Sequence, residues 1–492
     1  VVRAIGELER KVRAVQLIPG ASEFIYDNME VREADGRGGF ISHNRHVDYA
    51  ATDFEASLDE LQAVCPSLEH VGLVVSWFGS DLRCGHCEIR PKVEVAQRRI
   101  EGADWAVSGI ARFNAQLVSR INGAPAFGGT PSDAGVIRTI RALKQRGIKV
   151  SFNPFIMMDI AAENNLPDPY NSAGFQPVYP WRGRITAELA PQQVGTSDKT
   201  NAVRDEVAAF LGTAQANQFA LSSNAVSFTG GTDWGYRRFI LHAAHLCKAA
   251  GGVNTFLIGS ELRGLTWLRD GDGRHPFVEG LVTLANDVSA LLGAQTLISY
   301  AADWSEYFGY QPSDGSGDVI FHLDPLWASN AVGAIAIDNY MPLADWREGE
   351  HHRDAGQAAS IYDHAYLQAN IAGGEGYEWF YANEQDRRDQ NRTPISDGAY
   401  NKAWVFRYKD LVNWWSNRHF NRQGGIERSE PTAWVAQSKP IFFNEFGCPA
   451  IDKGANQPNV FFDPQSSESA VPYFSSGVRD DAMQRALLEA GL

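Results

Sequence analysis

Two glutamates carry the chemistry this chain could perform. Glu261 closes the run FLIGSE and Glu445 closes IFFNE. In each case a carboxylic acid directly follows a short apolar stretch with the character of a buried strand. In a (β/α) barrel the loops that follow the strands converge over the mouth, so a residue at a strand terminus is placed for chemistry. Retaining glycoside hydrolysis needs one carboxylic acid to protonate the leaving oxygen and a second carboxylate to act as nucleophile, held about 5 to 5.5 Å apart. Counted along the chain, Glu261 ends the fourth strand and Glu445 the seventh, which face one another in an eight-strand ring. Glu261 is therefore the expected acid/base, kept protonated near neutral pH by burial and a charged neighbour, and Glu445 the expected nucleophile. Alone, either glutamate could as well cap the next helix or pair with Arg263; the two in this order point to catalysis.

Other strand ends and long loops add groups that a sugar site could use. Trp77, Asn153, Asp159, Asp303 and Asp338, the last with Asn339 and Tyr340, stand at the ends of apolar runs. Trp77, Asn153, Asp303, Asp338 and Tyr340 are expected to meet substrate. So are Trp181 and Trp304, whose indole faces could stack on a pyranose ring, as could Trp346. An Asp at such a place can equally form a turn. The loops 167–198 and 303–327 are rich in Trp, Tyr, Pro, Gly and Asp, and loops of that length inside a folded domain are usually functional.

These residues need a scaffold of alternating strands and helices. Strand runs occur at 70–77, 148–155, 254–260, 296–302, 333–338 and 439–445, with ADWAVSGIA (103–111) a weaker seventh. Helical segments fall among them at 53–64, 131–146 behind Thr130, 234–250 closed by Gly251 and Gly252, 277–292 ended by Gly293, and 478–490. Strand–helix–strand repetition predicts a parallel sheet with crossover helices, and the number of units predicts a (β/α)8 TIM barrel with long loop insertions. Residues 1–48 do not fit the repeat and read as the end of a preceding β-rich module, leaving 49–492 as the barrel domain. Seven strands are placed where eight are needed, so the last is expected beyond Leu492, the chain being an excerpt of a longer protein; a segment such as 459–462, or the N-terminal strands before Asp53, could fill the gap instead, though neither has a preceding helix of the proper kind.

Composition narrows the partners. The 492 residues are 44% hydrophobic with a formal charge of −15, which describes a folded protein of the wrong sign to track phosphates, so direct readout of nucleic acid is not expected. No apolar run approaches the roughly 18 residues of a membrane span. Five cysteines make no disulfide framework. The C-x-x-C of RCGHC lacks the second ligand pair of a structural zinc site, so Cys84 and Cys87 are expected to hold no metal. RDGDGRHP and DGSGD fall short of a calcium loop, and no G-x-G-x-x-G, G-x-x-x-x-G-K or G-x-S-x-G is present. No cofactor is expected.

Longer strings carry a family likeness: SWFGSDLRCGHCEIRP, FLIGSELRGLT, SYAADWSEYFGYQPSDGSGDVIFHLDPLW, AIDNYMPLADWR, NIAGGEGYEWFY and NEFGCPAIDKGANQPNVFFDPQSSES. From about residue 52 to 492 the chain resembles the TIM-barrel-like domain of the large tail protein of gene transfer agents and related phages. The resemblance implies a glycoside-hydrolase-like barrel inside a tail-tip or baseplate protein of a phage-like particle. That protein would be made in the bacterial cytoplasm and be extracellular after release. It implies other tail and baseplate proteins as partners, a homotrimer in the particle, and cell-surface polysaccharide or peptidoglycan as ligand. FLIGSE is also similar to the strand-four signature of the large retaining-glycosidase clan, in which Asn precedes the acid/base; Ser260 stands there instead. NEFG at 444–447 fits that clan's nucleophile strand. Two readings stay open: a hydrolase of a cell-envelope glycan, and an inactive scaffold or glycan-binding module of the tail.

Overall fold

The computed structural model describes residues 6–20, 22–101 and 104–492. The chain forms two units, Val1–Ala301 with Ser329–Ala334, and Ala302–Ala328 with Ile335–Leu492. Strands buried on both faces of a parallel sheet need nearly continuous apolar sequence, and the expected runs supply it. In the first unit β1 (Ala14–Leu17) pairs with β2 (His70–Gly79), β2 with β3 (Lys149–Met158), β3 with β4 (Thr255–Ser260), and β4 with β5 (Leu297–Asp303), every pair parallel. In the second unit β6 (Ile335–Asn339) pairs in parallel with β7 (Ile441–Phe446). The last residues of β5 belong to this second unit, where the Trp304 N–H donates to the Asp338 carbonyl at 3.1 Å.

The helices that separate these strands follow their sequence signals. α1 (Asp53–Val64) starts at Thr52, whose hydroxyl accepts the Glu55 N–H at 3.3 Å. α2 (Asp133–Gln145) is capped by Ser132, which accepts the Gly135 N–H at 3.0 Å. The expected cap Thr130 donates instead to the Ser76 carbonyl at 2.9 Å and so ties α2 to β2. α3 (Tyr236–Ala249) stops before Gly251 and Gly252, both at positive φ, and α4 (Pro276–Leu292) stops at Gly293, φ +79°. α5 (Asp481–Gly491) closes the chain. This strand–helix–strand repeat is a TIM-barrel fold.

Two segments depart from expectation. Residues 103–111 do not form a strand of the repeat: Ala103 lies outside the described residues, and Ala106–Val107 pairs antiparallel with Ile110–Ala111. Ser108 and Gly109 at the turn have φ of +53° and +79°, which closes a tight hairpin and cuts the apolar run in two. The place at the start of the sheet goes to β1, from the segment set apart as a preceding module; Ala14 through Leu17 stand opposite His70 through Leu73. The two units part inside β5.

In the second unit, residues 340–440 form a long insertion between β6 and β7 with its own buried centres. Phe321, Trp414, His419 and Trp434 stack there, with Phe321 and His419 ring centroids 4.3 Å apart. α5 packs Met483, Leu487 and Ala490 on Tyr366, Leu367 and Cys448. Lys409, buried, donates to the carbonyls of Asn370 and Gly373 at 2.9 and 3.0 Å. Burial lowers its pKa to about 7, against the opposing pull of Glu375 and Glu378. Because the unfolded chain binds this proton up to about pH 10.4 and the folded chain releases it above about 7, the insertion should gain stability as pH rises between those values. Lys409→Met is expected to flatten that rise, read by hydrogen exchange of residues 364–409 at pH 7 and 9; an unchanged slope would refute the assignment.

Candidate functional site

Each candidate glutamate is delivered by a break in strand regularity. Along β4 the register passes from Leu257 opposite Ser299 to Ser260 opposite Ala301, so β4 carries one extra residue. Such bulges are uncommon between parallel strands and re-aim the side chains beside them. Gly259 at this point has φ +152°. Glu261 then turns into the left-handed region, φ +52°, an infrequent conformation for a non-glycine residue. Its N–H donates to the Ala301 carbonyl at 2.8 Å, and the next N–H, of Leu262, donates to the Tyr300 hydroxyl at 2.7 Å. These bonds hold a conformation that costs on the order of 1 kcal/mol.

The Glu261 carboxylate, 7% exposed, accepts the Trp181 indole N–H at 2.7 Å and lies 2.9 Å from the Arg182 guanidinium. Arg182 also donates to the Ser260 carbonyl at 2.9 Å and to the Ser260 hydroxyl at 2.7 Å, and its guanidinium lies 3.7 Å over the Phe155 ring. Ser260 and Glu261, consecutive residues, thus address the same side chain. Arg263 stacks on Trp181 at 5.0 Å and on Trp267 at 4.8 Å. Nearby Tyr170 donates to the Arg184 carbonyl at 2.9 Å, and burial pushes its hydroxyl up to about 12.

In the second unit the same outcome is reached differently. Ile337 stands opposite Phe443, yet Asp338 stands opposite Glu445, so Asn444 is an extra residue in β7. In a regular strand neighbours point to opposite faces. Here the bulge lets both serve one face: Asn444 donates its amide N–H to Asp338 Oδ1 at 2.8 Å, and Glu445 Oε2 accepts the Tyr340 hydroxyl at 2.7 Å. Asp338 is completely buried and Glu445 half-buried.

The other expected site residues divide. Trp181 meets Glu261 through its N–H, with one indole face turned to Arg263. Asp338 and Tyr340 stand with Asn444 and Glu445. Asp303 shapes its own turn, accepting the Ser305 N–H at 2.9 Å, and Trp304 lies edge-on to Tyr408 at 4.8 Å. Asn153, fully buried in β3, alternates onto the same face as Phe155. Trp77 is a correction: it is 2% exposed and packs on Phe239 and His242 of α3, at 5.2 and 5.1 Å, so its faces are covered and it stacks on no sugar. Asp159 is held by Lys92 at 2.7 Å, a buried ion pair. The sequence reading missed Arg182, an arginine among several in a loop, and met Asn444 only as the first residue of NEFG, without a role of its own. Gly259 did carry a signal, since glycine inside a strand marks a bulge.

Cys84 and Cys87 flank a turn in which burial pushes the Cys87 thiol up to about 12 and Cys84 higher still. Among the described residues, no cluster of three ligand atoms that could hold a metal includes either sulfur. Asp270 of RDGDGRHP is held through both oxygens, Oδ1 accepting the Asp272 and Arg274 N–H groups at 2.9 Å each and Oδ2 the Arg204 guanidinium at 2.7 Å.

The family model described as the GTA TIM-barrel-like domain matches residues 234–492, more than half of the sequence. The chain belongs to this family. The match takes in both glutamates and leaves residues 52–233 outside it. No curated protein matches this member of the GTA TIM-barrel-like family. Among solved structures it is similar to a GH113 β-1,4-mannanase complex, at 13% identity and a TM-score of 0.37, over 88% of this chain and 74% of that one. It is also similar to the GH113 β-mannanase AaManA from Alicyclobacillus acidocaldarius, at 11% identity and a TM-score of 0.33, over 85% and 70%. No helix among the described residues is long and apolar enough to cross a membrane.

Proposed function

We propose that this barrel binds and hydrolyses a bacterial cell-envelope glycan with retention at the anomeric carbon, Glu261 serving as acid/base and Glu445 as nucleophile, and that it does so as a tail-tip or baseplate component of a phage-like particle. The observation that carries the catalytic reading is the pair of dipeptides Ser260-Glu261 and Asn444-Glu445. Each lies at the end of a strand of the barrel, Ser260 as the last residue of β4 and Asn444 and Glu445 near the end of β7, and each is set by a backbone irregularity that turns two successive polar residues to one side. Irregularities of this kind lower sheet regularity and cluster where side chains must be aimed. Tyr340 holds one oxygen of Glu445, which orients the other for attack. In the first step the Glu445 carboxylate bonds to the anomeric carbon as the proton of Glu261 passes to the leaving oxygen; in the second, water displaces Glu445 with Glu261 as base.

The test is incubation of the full chain with peptidoglycan and host cell-surface polysaccharides, following the first-formed anomer by proton NMR. Retention is the expected result. Inversion would remove the nucleophile role. Binding without cleavage would leave the glycan-binding module as the function, and neither binding nor cleavage would leave the structural scaffold.

A further inference from the structure

Both donors that approach the Glu261 carboxylate take the same oxygen. The Trp181 N–H and the Arg182 Nη2 group meet Oε2, at 2.7 and 2.9 Å, and no donor among the described residues reaches Oε1. Arg182 is itself fixed: it is 6% exposed, bonded twice to Ser260 and laid on Phe155. Trp181 is steadied by the Arg263 guanidinium on its ring. A carboxylate free to rotate would exchange its oxygens; one pinned at Oε2 cannot.

The geometry points to Arg182 and Trp181 as positioning residues that immobilise Oε2 and reserve Oε1 as the atom that moves the proton. This rests on the acid/base reading of Glu261. In the first step the O–H bond at Oε1 breaks while the glycosidic C–O bond breaks, and the proton goes to the leaving oxygen. The electron pair stays on the Glu261 carboxylate and spreads onto Oε2, where the guanidinium and the indole N–H meet the new charge. In the second step Oε1 takes a proton from water as the water oxygen bonds to the anomeric carbon and the bond to Glu445 breaks. Donors already in place stabilise that charge without reorganisation. Ser260 gains a role as well: its carbonyl and hydroxyl hold Arg182 at the correct angle.

The experiment uses the full chain with Arg182→Met, Arg182→Lys, Trp181→Phe and, as reference, Glu261→Gln. On aryl glycosides of the cleaved sugar, Arg182→Met is expected to lose about 100-fold in kcat/KM with poor leaving groups. It should lose less than about threefold in kcat/KM with 2,4-dinitrophenolate, which needs no proton in the first step. Arg182→Lys, which keeps a charge, should restore most of the loss. Trp181→Phe should show the same pattern more weakly, and it carries the test if Arg182→Met does not fold. A loss equal for all leaving groups would overturn the inference. If Glu261→Gln itself shows no dependence on leaving group, the acid/base reading fails instead. Independently of turnover, the ¹⁵N-indole resonance absent from Trp181→Phe should move upfield in Glu261→Gln; an unmoved resonance would overturn the clamp even in a chain that cleaves nothing.

Discussion

Glu445→Gln is expected to lower glycan turnover by about a thousandfold or more, roughly 4 kcal/mol of transition-state stabilisation, while glycan affinity changes by no more than a few fold. The amide has the size of the carboxylate and can still accept the Tyr340 hydroxyl, now bonded at 2.7 Å to Oε2. It cannot donate an electron pair to the anomeric carbon at a useful rate, so no glycosyl-enzyme forms. Binding depends on shape and on hydroxyl partners that the substitution leaves in place. The measurement pairs initial rates with calorimetric titration of the same oligosaccharide. A variant within tenfold of the parent rate would strike Glu445 from the mechanism, and loss of rate together with loss of binding would show that it holds substrate instead.

Gly259→Ala is expected to have the largest effect on stability, about 3 kcal/mol or more, through overpacking and backbone strain combined. A Cβ there would lie 2.0 Å from the Tyr236 hydroxyl and 3.3 Å from Tyr300, at φ +152°. Tyr236 cannot step aside cheaply. It is fully buried, stacks on Phe210 at 5.5 Å, meets Phe277 edge-on at 5.7 Å, and donates to the Ile258 carbonyl at 2.5 Å. The double variant Gly259→Ala, Tyr236→Phe removes the struck atom and should recover part of the loss, leaving the cost of φ. Chemical denaturation followed by fluorescence reads both. If the double variant is no more stable than Gly259→Ala, the clash with Tyr236 is not the cause.

The strands that position the site were legible because a parallel sheet covered on both faces demands what the eye finds easily, apolar residues without interruption. β1 reads from sequence as part of a separate β-rich module, not as a regular unit of the repeat, because it is short and partly exposed, because Gln16 interrupts it, and because no helix of the usual kind leads into it. The Gln16 side chain lies over Gly72, where a Cβ would meet its amide oxygen, a packing that no pattern of hydrophobicity encodes. The same continuity of apolar residues concealed which face Trp77 occupies. The glutamates were legible as strand-end residues, but their partners were not. Arg182 reaches Glu261 from a loop 78 residues before Ser260, and the position of such a loop depends on the whole fold, not on local sequence.

The bulge at Asn444 has a consequence for how this protein would respond to selection. Removing Asn444 would bring Glu445 directly after Phe443, still opposite Asp338, and the ladder between β6 and β7 would run unbroken. The sheet would become more regular, while the buried Asp338 carboxylate would lose the amide that donates to it. Regularity of the ladder and aim of the glutamate are therefore opposed at a single codon, with the buried Asp338 carboxylate tied to the irregular form by the Asn444 amide. Lineages that keep the fold as mere architecture would be released from holding that residue in register, whereas lineages that use Glu445 would not.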